Sequence, residues 1–172
     1  TQYELEIVNQ KLKEQEEKEK SLQYKPVGNR LLNITSSSLN GIDDWGNKGI
    51  TGLSKVIIRD KKNSFVLINN KNVVTDYDIG EMKNLEDGRQ YFELGRVDNA
   101  TLTLKDNNNV NVYLLANHHK DMGHTYVWID ATLELISDEQ ADEIIKQAQK
   151  SKHIADSISE NTYPKYRSGE VV

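Results

Sequence analysis

Thr125-Tyr126-Val127-Trp128-Ile129-Asp130-Ala131-Thr132-Leu133-Glu134-Leu135-Ile136 alternates between two kinds of residue along its whole length. Successive side chains of a strand point to opposite faces. Val127, Ile129, Ala131, Leu133 and Leu135 therefore share one face, expected to build a core. Tyr126, Trp128, Asp130, Thr132 and Glu134 share the other, which combines aromatic and polar groups. A period of two is a strand's signature, so this stretch assigns a β class to what surrounds it.

Upstream, short apolar runs are separated by turn residues. Arg30–Ile34 reads as a first strand. Leu53–Arg59 and Ser64–Asn69 read as a hairpin turned by Asp60-Lys61-Lys62-Asn63. Asn72–Tyr77, Gln90–Gly95, Ala100–Lys105 and Val110–Ala116 complete a set of about eight strands, a number and spacing that predict an antiparallel β-sandwich of the jelly-roll kind. Ser36–Gly52 reads as a long polar connection, with Trp45 expected to plug one end of the sandwich.

The flanks have a different period. Residues 2–23 contain no Gly or Pro, are dense in Glu, Lys and Gln, and place Leu5, Val8, Leu12, Gln15, Glu19 and Leu22 at alternating steps of three and four. That is a heptad series of a and d positions, predicting a helix that gains stability from a partner strand. Pro26 and Gly28 end it. After the β region, Ser137 with Gln140 forms a capping-box pattern. Ala141, Ile144, Ala148, Ser151, Ala155 and Ile158 then make a second series. This second helix either continues a coiled coil or packs as one amphipathic helix on its own β domain. The expected division is a helical stalk over 1–25, a β-sandwich over 29–136, a second helix or coiled coil over 137–160 and a linker or tail over 161–172.

The chain has 172 residues, a formal net charge of −5 and no Cys. The charge gives no basic field to attract a phosphate backbone, so nucleic acid is not an expected partner. No run approaches the ~18 apolar residues of a membrane-crossing helix, and the absence of Cys excludes disulfides and thiolate metal sites. The opening residues resemble neither a signal peptide nor a natural start, so the chain is expected to be a piece of a longer one.

Helix in, β domain, helix out is the layout of a bead on a fibre. Arg30-Leu-Leu-Asn-Ile-Thr35, a polar stretch ending in Trp45-Gly46, and Val127-Trp-Ile-Asp-Ala-Thr-Leu-Glu-Leu135 before a helix resemble the jelly-roll carbohydrate-binding modules of tail-fibre and baseplate proteins from phages of Gram-positive bacteria. The resemblance covers 29–136 in layout. It implies a non-catalytic module that contacts cell-surface polysaccharide for host recognition, in a virion tail or otherwise outside the cell, or a spacer domain without a ligand. It implies self-association, as in a homotrimer, through the heptad helices. The extracellular domain of a Gram-positive surface or conjugation protein is a further reading of the same layout.

Parity extends the aromatic face to neighbouring strands. If Ala116 pairs with Thr125, then Tyr113 lies opposite Trp128, Leu115 opposite Tyr126 and Asn111 opposite Asp130. Pairing Leu104 with Val110 then brings Thr101 and Thr103 beside them. Flat aromatics offer sugar rings an apolar platform, and carboxylate and amide groups take the hydroxyls. The candidate ligand-binding residues are therefore Tyr113, Tyr126, Trp128, Asn111 and Asp130, with His119 from the loop at the edge of this face. The face is either open or covered by a helix or another subunit.

Other chemistry has less to stand on. The His118-His119-Lys120-Asp121-Met122-Gly123-His124 loop holds three of the four His, but adjacent imidazoles seldom converge on one zinc ion. Asp43 with Asp44, and Asp76 with Asp78 and Glu81, offer oxygens to Ca²⁺ without the spacing of a known loop, and solvated loop charge is the plainer reading. No other cofactor is expected. Asp130 and Glu134 are separated by ~14 Å along a strand, too far for a glycosidase pair. No phosphate loop, zinc-protease or nucleophile-elbow motif is present. An enzyme is not expected, and the exception to plan for is a polysaccharide-cleaving fibre domain.

Overall fold

The structure, a computed structural model, describes residues 1–40, 52–95, 99–104, 109–119 and 123–162, and within the strands and helices 38–40, 99–104, 109, 111–119, 123–127 and 160–162 by backbone only. The elements run α1 (Gln2–Ser21), β1 (Asn29–Asn40), β2 (Leu53–Arg59), a 3₁₀ turn (Asp60–Lys62), β3 (Ser64–Asn69), β4 (Val74–Asn84), β5 (Gln90–Leu94), β6 (Asn99–Leu104), β7 (Asn109–His119), β8 (Gly123–Ile136) and α2 (Asp138–Thr162).

The chain is mainly antiparallel β with a helix at either end, and the sheet corrects the jelly-roll expectation. The strands follow one another in sequence order as a meander, and β1 pairs with β8 to close a barrel. That closing seam runs from Asn29 opposite Ile136 to Asn40 opposite Tyr126, interrupted by a bulge between Ile34 and Ser36. A jelly roll needs two stacked sheets with crossing connections; full closure removes both edges instead. The seam was hidden because β1 continues through Thr35-Ser36-Ser37-Ser38, where the apolar alternation stops while the backbone ladder goes on. The same effect lengthens β4, which runs through Asp78-Ile79-Gly80-Glu81 beyond the expected end at Tyr77.

An eight-stranded barrel has an interior of a width that side chains can fill. Leu32, Val56, Ile58, Phe65, Leu67, Phe92, Val110, Ile129 and Ala131 form one buried cluster there. A second cluster lies on the opposite faces of β1 to β3, where Leu31, Ile57, Val66 and Ile68 are covered by Ala141 and Ala148 of α2. Strands buried on both faces lose their alternation, as in the runs Val56-Ile57-Ile58 and Phe65-Val66-Leu67-Ile68, all almost fully buried. Of the two readings of the second heptad series, its first half is thus the amphipathic helix packed on its own domain. Small residues at Ala141 and Ala148 permit a close approach to the sheet. Leu135 departs from its expected place in the core and is 63% exposed. It pairs with Arg30, near the start of β1.

Both helices start as their sequences direct. The Ser137 hydroxyl accepts from the Gln140 N–H at 3.1 Å, and the Ser137 N–H donates to Gln140 Oε1 at 2.9 Å. Thr1 and Glu4 form the equivalent box at the head of α1.

Candidate functional site

The register is the one that alternation required. Tyr113 pairs with Trp128, Leu115 with Tyr126, Asn111 with Asp130 and Ala116 with Thr125. Thr101 pairs with Tyr113, Thr103 with Asn111 and Leu104 with Val110. One line of paired residues therefore crosses five strands from Tyr91 through Thr101, Tyr113 and Trp128 to Ser38. Ile129 and Ala131 are buried in the barrel interior, so Trp128 and Asp130 belong to its outer face. Trp128 is 48% exposed. The apolar part of α2 packs instead on Leu31, Ile57, Val66 and Ile68 of β1 to β3.

Asp130 is exposed and held in place by β1. The Ser36 hydroxyl donates to its Oδ2 at 3.1 Å, and the Thr35 hydroxyl to its carbonyl oxygen at 3.1 Å. Sequence reasoning missed the far end of the row. Tyr91, half-buried, carries the Lys83 ammonium 4.8 Å from its ring centre. Burial, then the neighbouring Glu93 and Glu81 charges, raise the pKa of the Tyr91 hydroxyl above its usual value. The signal was available: the sequence assigns Gln90–Gly95 as a strand, and one further pairing step places Tyr91 opposite Thr101.

The remaining candidates are distributed as follows. His119 pairs with Gly123 at the tip of the β7–β8 hairpin, and its side chain lies outside the described residues. Asp121 of that loop lies outside them, as do Asp43, Asp44 and Trp45. The second Ca²⁺ candidate set sits on β4 itself, where Asp76 accepts from the Ser64 hydroxyl at 2.7 Å. This corrects the expectation of a loop. Among the described residues no three His, Asp or Glu side chains are grouped to hold a metal ion, and no helix is long and apolar enough to cross a membrane.

A second cluster, not foreseen from the sequence, lies where the linker after α1 enters the barrel. Asp60, placed in a turn by the sequence pattern, is buried. Its Oδ2 accepts from the Tyr24 hydroxyl at 2.7 Å and the Val27 N–H at 2.8 Å, and its Oδ1 from the Gly28 N–H at 2.8 Å. Gly28 has φ +117°, a conformation that side chains resist, which turns its N–H toward the carboxylate. Arg30, also buried, donates to Tyr24 Oη at 2.7 Å and Gln90 Oε1 at 2.7 Å, and lies 3.6 Å from Asp60. Its guanidinium stands 5.8 Å from the centre of the Phe92 ring. Burial of the Asp60 carboxyl would raise its pKa, but the donors from Val27, Tyr24 and Gly28 and the Arg30 charge outweigh it and lower the pKa. Burial, more than any other influence, raises that of Tyr24. This arrangement is a clasp between the linker and the barrel end.

No family model matches the chain, and no curated protein does. Among solved structures, bovine odorant-binding protein in complex with a selenium-containing odorant is similar over 71% of this chain and 83% of that one, at 8% identity and a TM-score of 0.37. The same bovine protein with its natural ligand is similar over 86% of each chain, again at 8% identity and a TM-score of 0.37. At these values the likeness carries no argument about ligand or activity.

Proposed function

We propose that this chain is a non-catalytic glycan-binding module of an oligomeric phage tail-fibre or baseplate protein, used to recognise polysaccharide on the surface of a Gram-positive host. The observation that carries the reading is Trp128, half exposed on the outer wall of the barrel, in register with Tyr113 and flanked by the fixed Asp130 carboxylate. A half-exposed indole beside a fixed carboxylate suits the alternating apolar and hydroxyl faces of a sugar. Tyr126, Asn111 and His119 complete the proposed contact set. The site is shallow, so several copies acting together supply the avidity that one lacks.

Titration calorimetry against purified wall polysaccharides tests this. Binding by the parent and its loss in Trp128→Ala, with an unchanged melting temperature, is the expected result; no heat with any wall polysaccharide refutes the glycan reading. A second reading, a spacer domain whose aromatic face is a contact between subunits, is favoured by that same exposure. Sedimentation separates the two: loss of the oligomer in Trp128→Ala marks the spacer, and loss of ligand binding alone marks the glycan-binding module.

A further inference from the structure

α1 buries none of its residues, yet it is a regular 20-residue helix. Leu5 is 63% exposed, and Val8 and Leu12 are each 52% exposed. A single helix of this length, with so few good packing partners, is marginal in water. Among the described residues, its C-terminal end is what ties it to the barrel. The Leu22 carbonyl accepts from the Asn84 N–H at 3.2 Å, Lys18 meets Glu86 at 2.8 Å, and the Asp60 clasp holds the residues that follow.

We infer that copies of this chain associate through α1 in parallel and in register, which brings their barrels to the same end of the bundle. With Leu5 at position a, Val8 is d, Leu12 is a, Gln15 is d and Glu19 is a; Lys11 falls at g and Glu16 at e. In a parallel bundle, Leu5, Val8 and Leu12 each meet their own equivalents, giving three consecutive apolar layers. The g residue of one helix then faces the e residue five positions on in its neighbour, so every Lys11 meets a Glu16 of opposite charge. An antiparallel pair is poorer. It sets one of the two leucines against Thr1 or Gln15 of the other copy. Its flanking pairs are g with g and e with e, so the alignment that matches Val8 with Leu12 sets Lys11 against itself. Glu19 at an a position repels its equivalents, ending the bundle one turn before the helices reach their barrels. Leu at a with a β-branched residue at d shifts preference to more than two strands.

This inference deepens the multivalent part of the proposed function, and its test needs no glycan. The chain has no Cys, so Val8→Cys introduces a single thiol. Sedimentation of the parent is expected to give a multiple of 19.7 kDa, and Leu12→Asp the monomer with the barrel's circular dichroism intact. Under mild oxidation Val8→Cys joins to itself, as only parallel, in-register helices allow. Lys11→Glu weakens assembly several-fold, and mixing it with Glu16→Lys restores assembly. A parent that stays monomeric at all concentrations overturns the inference. So does efficient cross-linking of a Leu5→Cys and Val8→Cys mixture where Val8→Cys alone fails to join, because that pairing belongs to the antiparallel arrangement. Loss of glycan binding with assembly intact would count against the site reading alone.

Discussion

Replacing Asp60 by Ala is expected to be among the most damaging single changes in this chain. The carboxylate receives Tyr24, Val27 and Gly28 at 2.7 to 2.8 Å and lies 3.6 Å from the Arg30 guanidinium. Without it, a buried cation loses its counter-charge and two backbone N–H groups lose their acceptor. Removing one member of a buried ion pair typically costs about 3–5 kcal/mol. For a chain of this length each kcal/mol lowers the melting temperature by ~2–4 °C, so a drop of roughly 6–20 °C is expected. Thermal and urea unfolding followed by circular dichroism at neutral pH measure it. The pH dependence supplies a second reading. The Asp60 pKa is lowered in the folded protein, so its contribution is present above the unfolded carboxylate value and is lost as pH falls through the folded one. The stability gap between the parent and Asp60→Asn should therefore be wide at pH 7 and narrow on acidification below the ordinary carboxylate value of 3.8. A loss below ~1 kcal/mol for Asp60→Ala, the size of an ordinary point substitution, would refute this account. A gap that holds constant into acid would do the same for the ionised state of Asp60.

Phe92 is fully buried among Phe65, Tyr24 and the barrel interior, so Phe92→Ala should cost about 3–5 kcal/mol by leaving a cavity, measured by urea midpoint with an unchanged slope. Arg59 anchors α2: its Nη1 donates to Asp142 at 2.8 Å, its Nη2 to Asp138 at 3.3 Å and its Nε to Asn29 at 3.2 Å. Arg59→Met should speed amide exchange over the first turns of α2 by an order of magnitude or so while β2 to β5 stay protected, since a docked helix opens separately from the barrel. Equal acceleration throughout would show instead that the helix and barrel open as one unit.

The alternation of Thr125–Ile136 was enough to assign a strand, choose its buried face and, carried across two hairpins, establish the register that unites Tyr113, Trp128, Asn111 and Asp130. It also held a clue that went unread. Strands with a second apolar face, Val56-Ile57-Ile58 and Phe65-Val66-Leu67-Ile68, are those beneath α2, whereas β8 alternates, and Trp128 on its outer face is half exposed. The capping boxes of both helices were likewise local, written within four residues.

Closure and the clasp were not local. The β1–β8 seam joins residues about a hundred positions apart through a stretch of serines that carries no hydrophobic signal, so only the backbone ladder reveals it. Asp60 in Asp60-Lys61-Lys62-Asn63 has the composition of a solvated turn; its burial follows from a linker more than thirty residues upstream folding back to present N–H groups to it. Periodicity reports which way a side chain points within its own element. Which element arrives to meet it, and with which hydrogen-bond donors, depends on chain separations over which periodicity carries no information, and the tertiary structure alone decides it.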